Sequence, residues 1–362
     1  MENNLTEEGR IPTLHVVADS IPQAHYRAVK AVWEHGARIR TEYDKKNEKG
    51  EFIDPASRDA RVLIEVKDPW KEPRYPPILH SEIGAYIAEI MGAKDHLVLP
   101  MKELLEAVEK GGAPEEKRWP YTYSLRLRKY PSLGMVLKMI MDNHTGDAEA
   151  NIFELREEFL ELLDKQTINQ IEVAIARIAG TPYSRRAVMT TAIPFIDDRL
   201  KEDVPCLREI QLRAVEIDNN DLVLNLNTMW RSRDLYKAWP DNVIAITFLQ
   251  GHLARLIEKK SGRKTRVGSY ADYSSSLHIY GSYFHEIEGV AEKGLKSFFE
   301  RHDEEAFINM SMTSEQARDL LVLPELKELL TPQKIKEWKF GDEQTEIIET
   351  LIDDLEQGKY LP

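Results

Sequence analysis

Between Ser184 and Phe284 the chain carries, in order, Ser184-Arg185-Arg186, Val204-Pro205-Cys206-Leu207, Trp230-Arg231-Ser232-Arg233-Asp234, Pro240-Asp241-Asn242 and Ser276-Leu277-His278-Ile279-Tyr280. Cys206 is the only cysteine in 362 residues. A solitary cysteine ordinarily packs as a small hydrophobe. Here it stands on a Pro-Cys turn between two segments rich in guanidinium groups, and cations close to a thiol favour the thiolate. The thiolate is the form that acts as a nucleophile.

Apolar spacing around this stretch sets the fold class. Leu222-Val223-Leu224-Asn225-Leu226-Asn227 alternates with period two and reads as a strand. Leu207 to Ile217 alternates more loosely, Ala187-Val188-Met189 is a short apolar run, and Trp230 to Asp234 and Arg61 to Val66 also read as strands. Helical spacing runs through Gln23 to His35 with Gly36 as its cap, Ser81 to Met91, Met101 to Lys110 before Gly111-Gly112, Ile152 to Ile178, and Val243 to Lys259. Pro240-Asp241-Asn242 reads as a turn, and the polar residues 44–57 read as a surface loop. Helices and strands mix without regular alternation, which predicts an α+β fold around a mixed, mainly antiparallel sheet packed with helices. From Glu286 onward the chain is helical and charged, so residues 11–284 are expected as a catalytic domain and 285–362 as a helical C-terminal extension that packs on the core, meets a partner or serves a dimer, its charged run most simply a solvated face.

Composition narrows the function classes. A net charge of −13 disfavours broad nucleic-acid or anionic-membrane binding, which needs basic surface. An anionic substrate would need a local arginine cluster to overcome that field. No apolar run approaches a membrane span, the first ten residues are polar, and one cysteine precludes an internal disulfide. Cytoplasmic residence and no metal are the expectations.

With Asn169-Gln170-Ile171 ahead of them and Gln211 after the cysteine, the segments resemble thymidylate synthases and the related pyrimidine nucleotide hydroxymethylases. That family's pattern runs Asp-Gln-Ile, Ser-Arg-Arg, Pro-Cys followed by Gln, Arg-Ser-x-Asp, Pro-Phe-Asn and His-x-Tyr. Order and approximate spacing hold across roughly a third of the chain, and nothing similar is legible after Phe284.

The resemblance implies one-carbon transfer from 5,10-methylenetetrahydrofolate, as co-substrate, to C5 of dUMP. Cys206 would add to C6 of the pyrimidine and make C5 nucleophilic, with fixed donors stabilising charge on O4. Arg231 would touch both the phosphate and the thiolate, and Arg185 and Arg186 would reach a phosphate, guanidinium forks matching oxyanion geometry. In the relatives that pair crosses a two-fold axis, which implies a homodimer with shared active sites. Asn242 would read the base, its amide donating to O4 and accepting from N3 of uracil. Ser232 and Gln211 would support the nucleotide, His278 and Tyr280 would hold the sugar hydroxyl, and Asp234 would bind the pterin. The alternative for Asp234 is an ion pair with Arg231 or Arg233. Glu82 would organise proton transfers, the alternative being a carboxylate favoured at a helix start. Tyr123 would lie near the nucleotide, or serve as core. Arg40 and Arg58 are further phosphate candidates, or solvated surface charges.

Leu207 in place of the histidine that follows the nucleophile, the Ser276-Leu277 lead-in to His278 and the C-terminal Lys359-Tyr360-Leu361-Pro362 depart from ordinary synthases. They keep open a hydroxymethylase making 5-hydroxymethyl-dUMP, or acting on a cytidylate, without reduction. A non-catalytic nucleotide-binding protein is the remaining alternative, although such a protein has no need of Cys206.

Overall fold

The computed structural model describes residues 9–42, 44–79, 82–109, 119–143, 152–200, 204–217, 220–289 and 296–359. Ser81, Gly111, Gly112 and residues 360–362, each given a place in the sequence reading, lie outside them.

The strands are β1 (Thr13–Ala18), β2 (Ala37–Ile39), β3 (Ser57–Val66), β4 (Tyr130–Pro131), β5 (Thr167–Ile168), β6 (Val188–Thr190), β7 (Leu207–Glu216), β8 (Leu222–Trp230), β9 (Arg233–Asp234) and β10 (Thr265–Ile279). Between them run α1 (Ile21–His35), α2 (Ile83–Ile90), α3 (Met101–Glu109), α4 (Tyr123–Arg128), α5 (Leu133–Asn143), α6 (Ile152–Lys165), α7 (Gln170–Gly180), α8 (Pro194–Asp197) and α9 (Ala238–Ser261). The main sheet has the order β1-β3-β10-β8-β7-β6, with β2 on β3 and β9 on β10, while β4 and β5 pair apart. β10 runs antiparallel to β3 and parallel to β8, and β7 is antiparallel to both neighbours, so the sheet is mixed and the fold is α+β as expected.

One face of the sheet is buried. Leu222, Leu224 and Leu226 of β8, Leu212 of β7 and Val62 and Ile64 of β3 point into a core shared with α1, α7 and α9, as period-two alternation requires. The opposite face leaves Leu63, Val188, Val215 and Met229 exposed. The tail adds Phe298, Phe307, Leu326 and Ile348 to the same continuous core, and its helices Leu323–Leu329 and Asp342–Glu356 pack near α2.

Three local expectations need correction. The periodic run from Ile152 to Ile178 is not one helix: β5 separates α6 from α7, and Asn169 caps α7 by accepting the Glu172 N–H. Trp230 to Asp234 is not one strand, since β8 ends at Trp230 and β9 starts at Arg233. Pro240-Asp241-Asn242 is no turn but lies at the start of α9, where proline's missing N–H costs no helical bond. Gly36 does cap α1, yet with φ −65° rather than left-handed; a Cβ there would meet the Val32 carbonyl at 2.4 Å.

His25 on α1 is fully buried between Trp239 and Phe307, with Nε2 3.2 Å from the carbonyls of Leu235 and Tyr236. Burial pushes its pKa down to about 4 against these carbonyls, and burial does the same to His252 and His278. The unfolded chain therefore binds more protons between pH 6.5 and 4, so these groups' stability is lost as pH falls through that window; Asp59, raised to about 6 by burial, acts in the opposite sense. Urea denaturation at several pH values should show stability falling from pH 6.5 toward 4, with a shallower fall in His25→Gln.

Candidate functional site

Cys206 lies half-buried at the entrance to β7, partly packed against the main core. Its turn is held from two sides. Arg231 Nη2 donates to the Val204 carbonyl at 2.7 Å and its Nε to the Pro205 carbonyl at 3.2 Å, while its backbone N–H reaches the Cys206 carbonyl at 2.9 Å. Arg208 Nη1 donates to the Pro205 carbonyl at 3.3 Å and pairs with Asp197 at the same distance. Asp197 also forms an ion pair with Arg126 of α4 at 2.9 Å, both side chains being buried. Burial pulls the Arg126 pKa down, against the opposing charge of Asp197. Behind this, Gln170 of the Asn169-Gln170-Ile171 segment ties α4 to β6 through the carbonyls of Arg126 and Thr190.

The residue after the cysteine turns its N–H to the Tyr123 hydroxyl at 3.3 Å. Burial, and next the charge on Cys206, hold that phenol above its ordinary pKa. Tyr86 of α2 is raised well above the ordinary range by burial, with Tyr123 the next contributor. Its hydroxyl accepts from Asn242 Nδ2 at 2.8 Å. Tyr123 thus reaches the cysteine turn through the Leu207 N–H, and Tyr86 holds the Asn242 amide. Asp241 beside Asn242 is fully buried.

Arg233 is a buried anchor, paired with Asp272 at 2.8 Å and lying 4.1 Å over the Trp230 ring, and it fixes the segment that presents Arg231 and Ser232. Asp234 makes a local structural set: Oδ1 accepts the N–H groups of Tyr236 and Lys237, and Oδ2 accepts the Tyr283 hydroxyl at 3.2 Å. His278 and Tyr280 meet edge to face, 4.5 Å between centroids. Arg185 and Arg186 are exposed; Gln211 Nε2 donates to the Arg185 carbonyl at 3.2 Å on the uncovered side of the sheet.

Other sequence-derived positions lie outside this group. Glu82 is exposed at the start of α2 and makes no side-chain cap; Glu325 of the tail instead accepts the Gly84 N–H at 2.5 Å. Arg40 donates to the Asp54 carbonyl, pairs with Asp44 and covers the Phe52 ring at 4.0 Å, in the loop whose Glu42 and Asp44 act on His278. Arg58 donates to the Gly36 carbonyl and lies 5.6 Å over the Trp33 ring. A cavity of about 1000 Å³ lies elsewhere, against the starts of β8 and β10, lined by Trp70, Asn225, Arg255 and Gly268 among others. Tyr86 and Asp197 were missed from sequence because each acts through a partner distant in the chain, Asn242 and Arg126, and Arg208 because its contacts with Pro205 and Asp197 form no sequence motif. Among the described residues no His, Cys, Asp and Glu cluster could hold a metal, and no helix is long and apolar enough to cross a membrane.

Fold and site together define an α+β protein built around a single clamped cysteine. The chain matches the thymidylate synthase family model over residues 115–342, more than half its length, and belongs to that family. The match continues beyond Phe284, where the sequence reading found no family pattern. Two relatives named "Putative thymidylate synthase", from Methanothermobacter marburgensis and Methanothermobacter thermautotrophicus, are each 32% identical over 127 and 123 residues, covering 35% and 34% of this chain. The chain spans about half the length of these two relatives, 52% and 50%. A protein of the same name from Methanosarcina mazei is 25% identical over 294 residues, 81% of this chain and 99% of that one.

Asp197→Asn would leave the buried Arg126 guanidinium without its counter-charge. Urea denaturation should show a loss of roughly 3 kcal/mol, whereas exposed Arg185→Ala should stay within about 0.5 kcal/mol of the parent.

Proposed function

We propose that this chain makes dTMP by transferring the one-carbon unit of 5,10-methylenetetrahydrofolate to C5 of dUMP through a covalent Cys206–C6 adduct. The observation that carries the reading is the Cys206 turn clamped by Arg231 and Arg208 and met by the Tyr123 hydroxyl at the Leu207 N–H. The Cys206 thiolate adds to C6, and the electron pair moves through C5 toward O4. C5 then attacks the methylene carbon of the folate. Loss of the C5 proton and departure of the folate nitrogen leave an exocyclic methylene. Hydride from the same folate completes the methyl group, dihydrofolate is formed, and the thiolate is expelled. Cys206 thus divides one hard substitution into easier steps.

Asn242 reads the base in this account. With one Nδ2 hydrogen donated to Tyr86, the second remains for O4 and Oδ1 for the N3 proton, the pattern of uracil. Arg231 supports the phosphate and the thiolate, His278 and Tyr280 the sugar hydroxyl, Ser232 and Gln211 the nucleotide, Glu82 the proton transfers, and Asp234 the pterin. Tyr283 and two backbone N–H groups already occupy Asp234, so its carboxylate would be shared. Arg40 and Arg58 are the further phosphate candidates, the first shared with Asp44, the Asp54 carbonyl and the Phe52 ring, the second with the Gly36 carbonyl and the Trp33 ring.

The functional unit is a cytoplasmic homodimer. Exposed Arg185 and Arg186 beside an uncovered sheet face carrying Leu63, Val215 and Met229 suit a pair that reaches a partner's site. Residues 11–284 form its catalytic unit and 285–362 a helical extension sharing its core. The second reading, water addition giving 5-hydroxymethyl-dUMP, is favoured by the Ser276-Leu277 lead-in to His278.

Incubation with dUMP, dCMP or UMP and methylenetetrahydrofolate, followed by mass analysis of the nucleotide and detection of dihydrofolate, separates the readings. Methylated dUMP with dihydrofolate is the expected outcome; a hydroxymethyl product without folate oxidation selects the second reading. Cys206→Ser should abolish product, and full turnover in that variant refutes the assigned nucleophile. Asn242→Asp should shift preference from uridylate toward cytidylate, measured as the ratio of kcat/KM values.

A further inference from the structure

Where β3 pairs with β10, Asp59 stands opposite His278, and a register shift between Ser274 and Leu277 lies beside Ser276. Asp59 and His278 are both more than nine-tenths buried. Ser276 Oγ lies 2.6 Å from Asp59 Oδ2 and 3.3 Å from His278 Nδ1. His278 Nε2 is buried and has no hydrogen-bond partner among the described residues. Neither Asp59 nor Ser276 has a part in the family pattern set out above.

We infer that Asp59, acting through Ser276, fixes the tautomer of His278 so that the proton sits on Nδ1 and Nε2 is a bare acceptor for a ligand hydroxyl. An ionised carboxylate only accepts, and a serine hydroxyl has one hydrogen to give. The short Ser276–Asp59 contact is that of a hydroxyl donating to a charged oxygen. With its hydrogen spent there, Ser276 can only accept from His278, so Nδ1 carries the ring proton. A neutral imidazole has one such proton, so Nε2 has none. Burial keeps the ring neutral, its pKa down at about 4, and burial raises Asp59 to about 6 against the lowering effect of the Ser276 bond, so both groups hold the required charge at neutral pH.

Asp59 and Ser276 are therefore positioning residues. They make the pocket select a hydrogen-bond donor, such as a sugar hydroxyl, and disfavour an acceptor such as a sugar phosphate at that point. This rests on the nucleotide reading for the identity of the ligand, but the tautomer itself does not.

The test is long-range proton–nitrogen NMR of the full chain labelled with nitrogen-15 histidine at pH 7.5, with the His278 signals assigned by their loss in His278→Gln. The parent should show a protonated Nδ1 and an unprotonated Nε2. Ser276→Ala and Asp59→Asn should move the proton to Nε2, and Ser276→Thr, which keeps the hydroxyl, should restore the parent pattern. A parent ring protonated at Nε2, or a tautomer unmoved in both variants, overturns the inference. Calorimetry then tests the ligand: dUMP should bind roughly tenfold tighter than 2′,3′-dideoxyuridine monophosphate, the worth of one hydrogen bond. The predicted tautomer without dUMP binding sinks the nucleotide reading alone; dUMP binding with the opposite tautomer sinks the inference alone.

Discussion

The carbonyl groups of Val204 and Pro205 point away from any sheet partner, and the site depends on how they are satisfied. Arg231 takes both and Arg208 takes the second, so two guanidinium groups bracket the turn that carries the sulfur. Buried or half-buried carbonyls left without donors are costly, and a guanidinium fork can serve several acceptors at once. The same positive groups that hold the backbone also lie beside the nucleophile. A protein with a net charge of −13 needs such local concentration to attract an anion.

The clamp is itself supported at a distance. Arg208 is held by Asp197, Asp197 is paired with the buried Arg126, and Arg126 belongs to the helix that also presents Tyr123 toward the cysteine. Buried ion pairs contribute little net stability, but removing one partner strands the other charge. Geometry at Cys206 is thereby coupled to the docking of α4 and α8 against the sheet. On the far side, Arg233 and Asp272 perform the equivalent task for the segment bearing Arg231, and Trp239 donates to the same aspartate. The helical tail contributes through packing: Phe307 touches His25, and Glu325 caps α2, the helix that carries Tyr86.

Much of this was legible in the residues because period-two and helical spacing are local signals. The alternation through Leu222 to Asn227 gave β8, and α1, α2 and α9 fall where their apolar spacing placed them, with ends differing by a few residues. The signal failed where a local pattern was overruled by tertiary contacts. Ile152 to Ile178 keeps its apolar period across a break that only the pairing of Thr167 and Ile168 with Tyr130 and Pro131 explains. Pro240 suggested a turn, yet proline is equally at home in the first turn of a helix. The chemistry-bearing segments were visible as a pattern, whereas Tyr86, Asp197 and Asp59 were not: each matters through a neighbour far away in sequence, Asn242 for Tyr86, Arg126 for Asp197 and Ser276 for Asp59. The tail's sparse apolar residues left core packing, a partner surface and a dimer element all open, and Phe298, Leu326 and Ile348 join the core.

The claim beneath the functional reading is that the Cys206 sulfur adds to C6 of a uridylate. It is tested most directly by incubating the full chain with 5-fluoro-dUMP and 5,10-methylenetetrahydrofolate, then weighing the intact protein and mapping its peptides. Fluorine at C5 cannot leave as the proton does, so the reaction stalls at the covalent stage. The account predicts a mass gain equal to nucleotide plus folate, confined to the peptide containing Cys206 and absent in Cys206→Ser. Saturable binding of the nucleotide with Cys206 left unmodified, or an adduct on another residue, would contradict it.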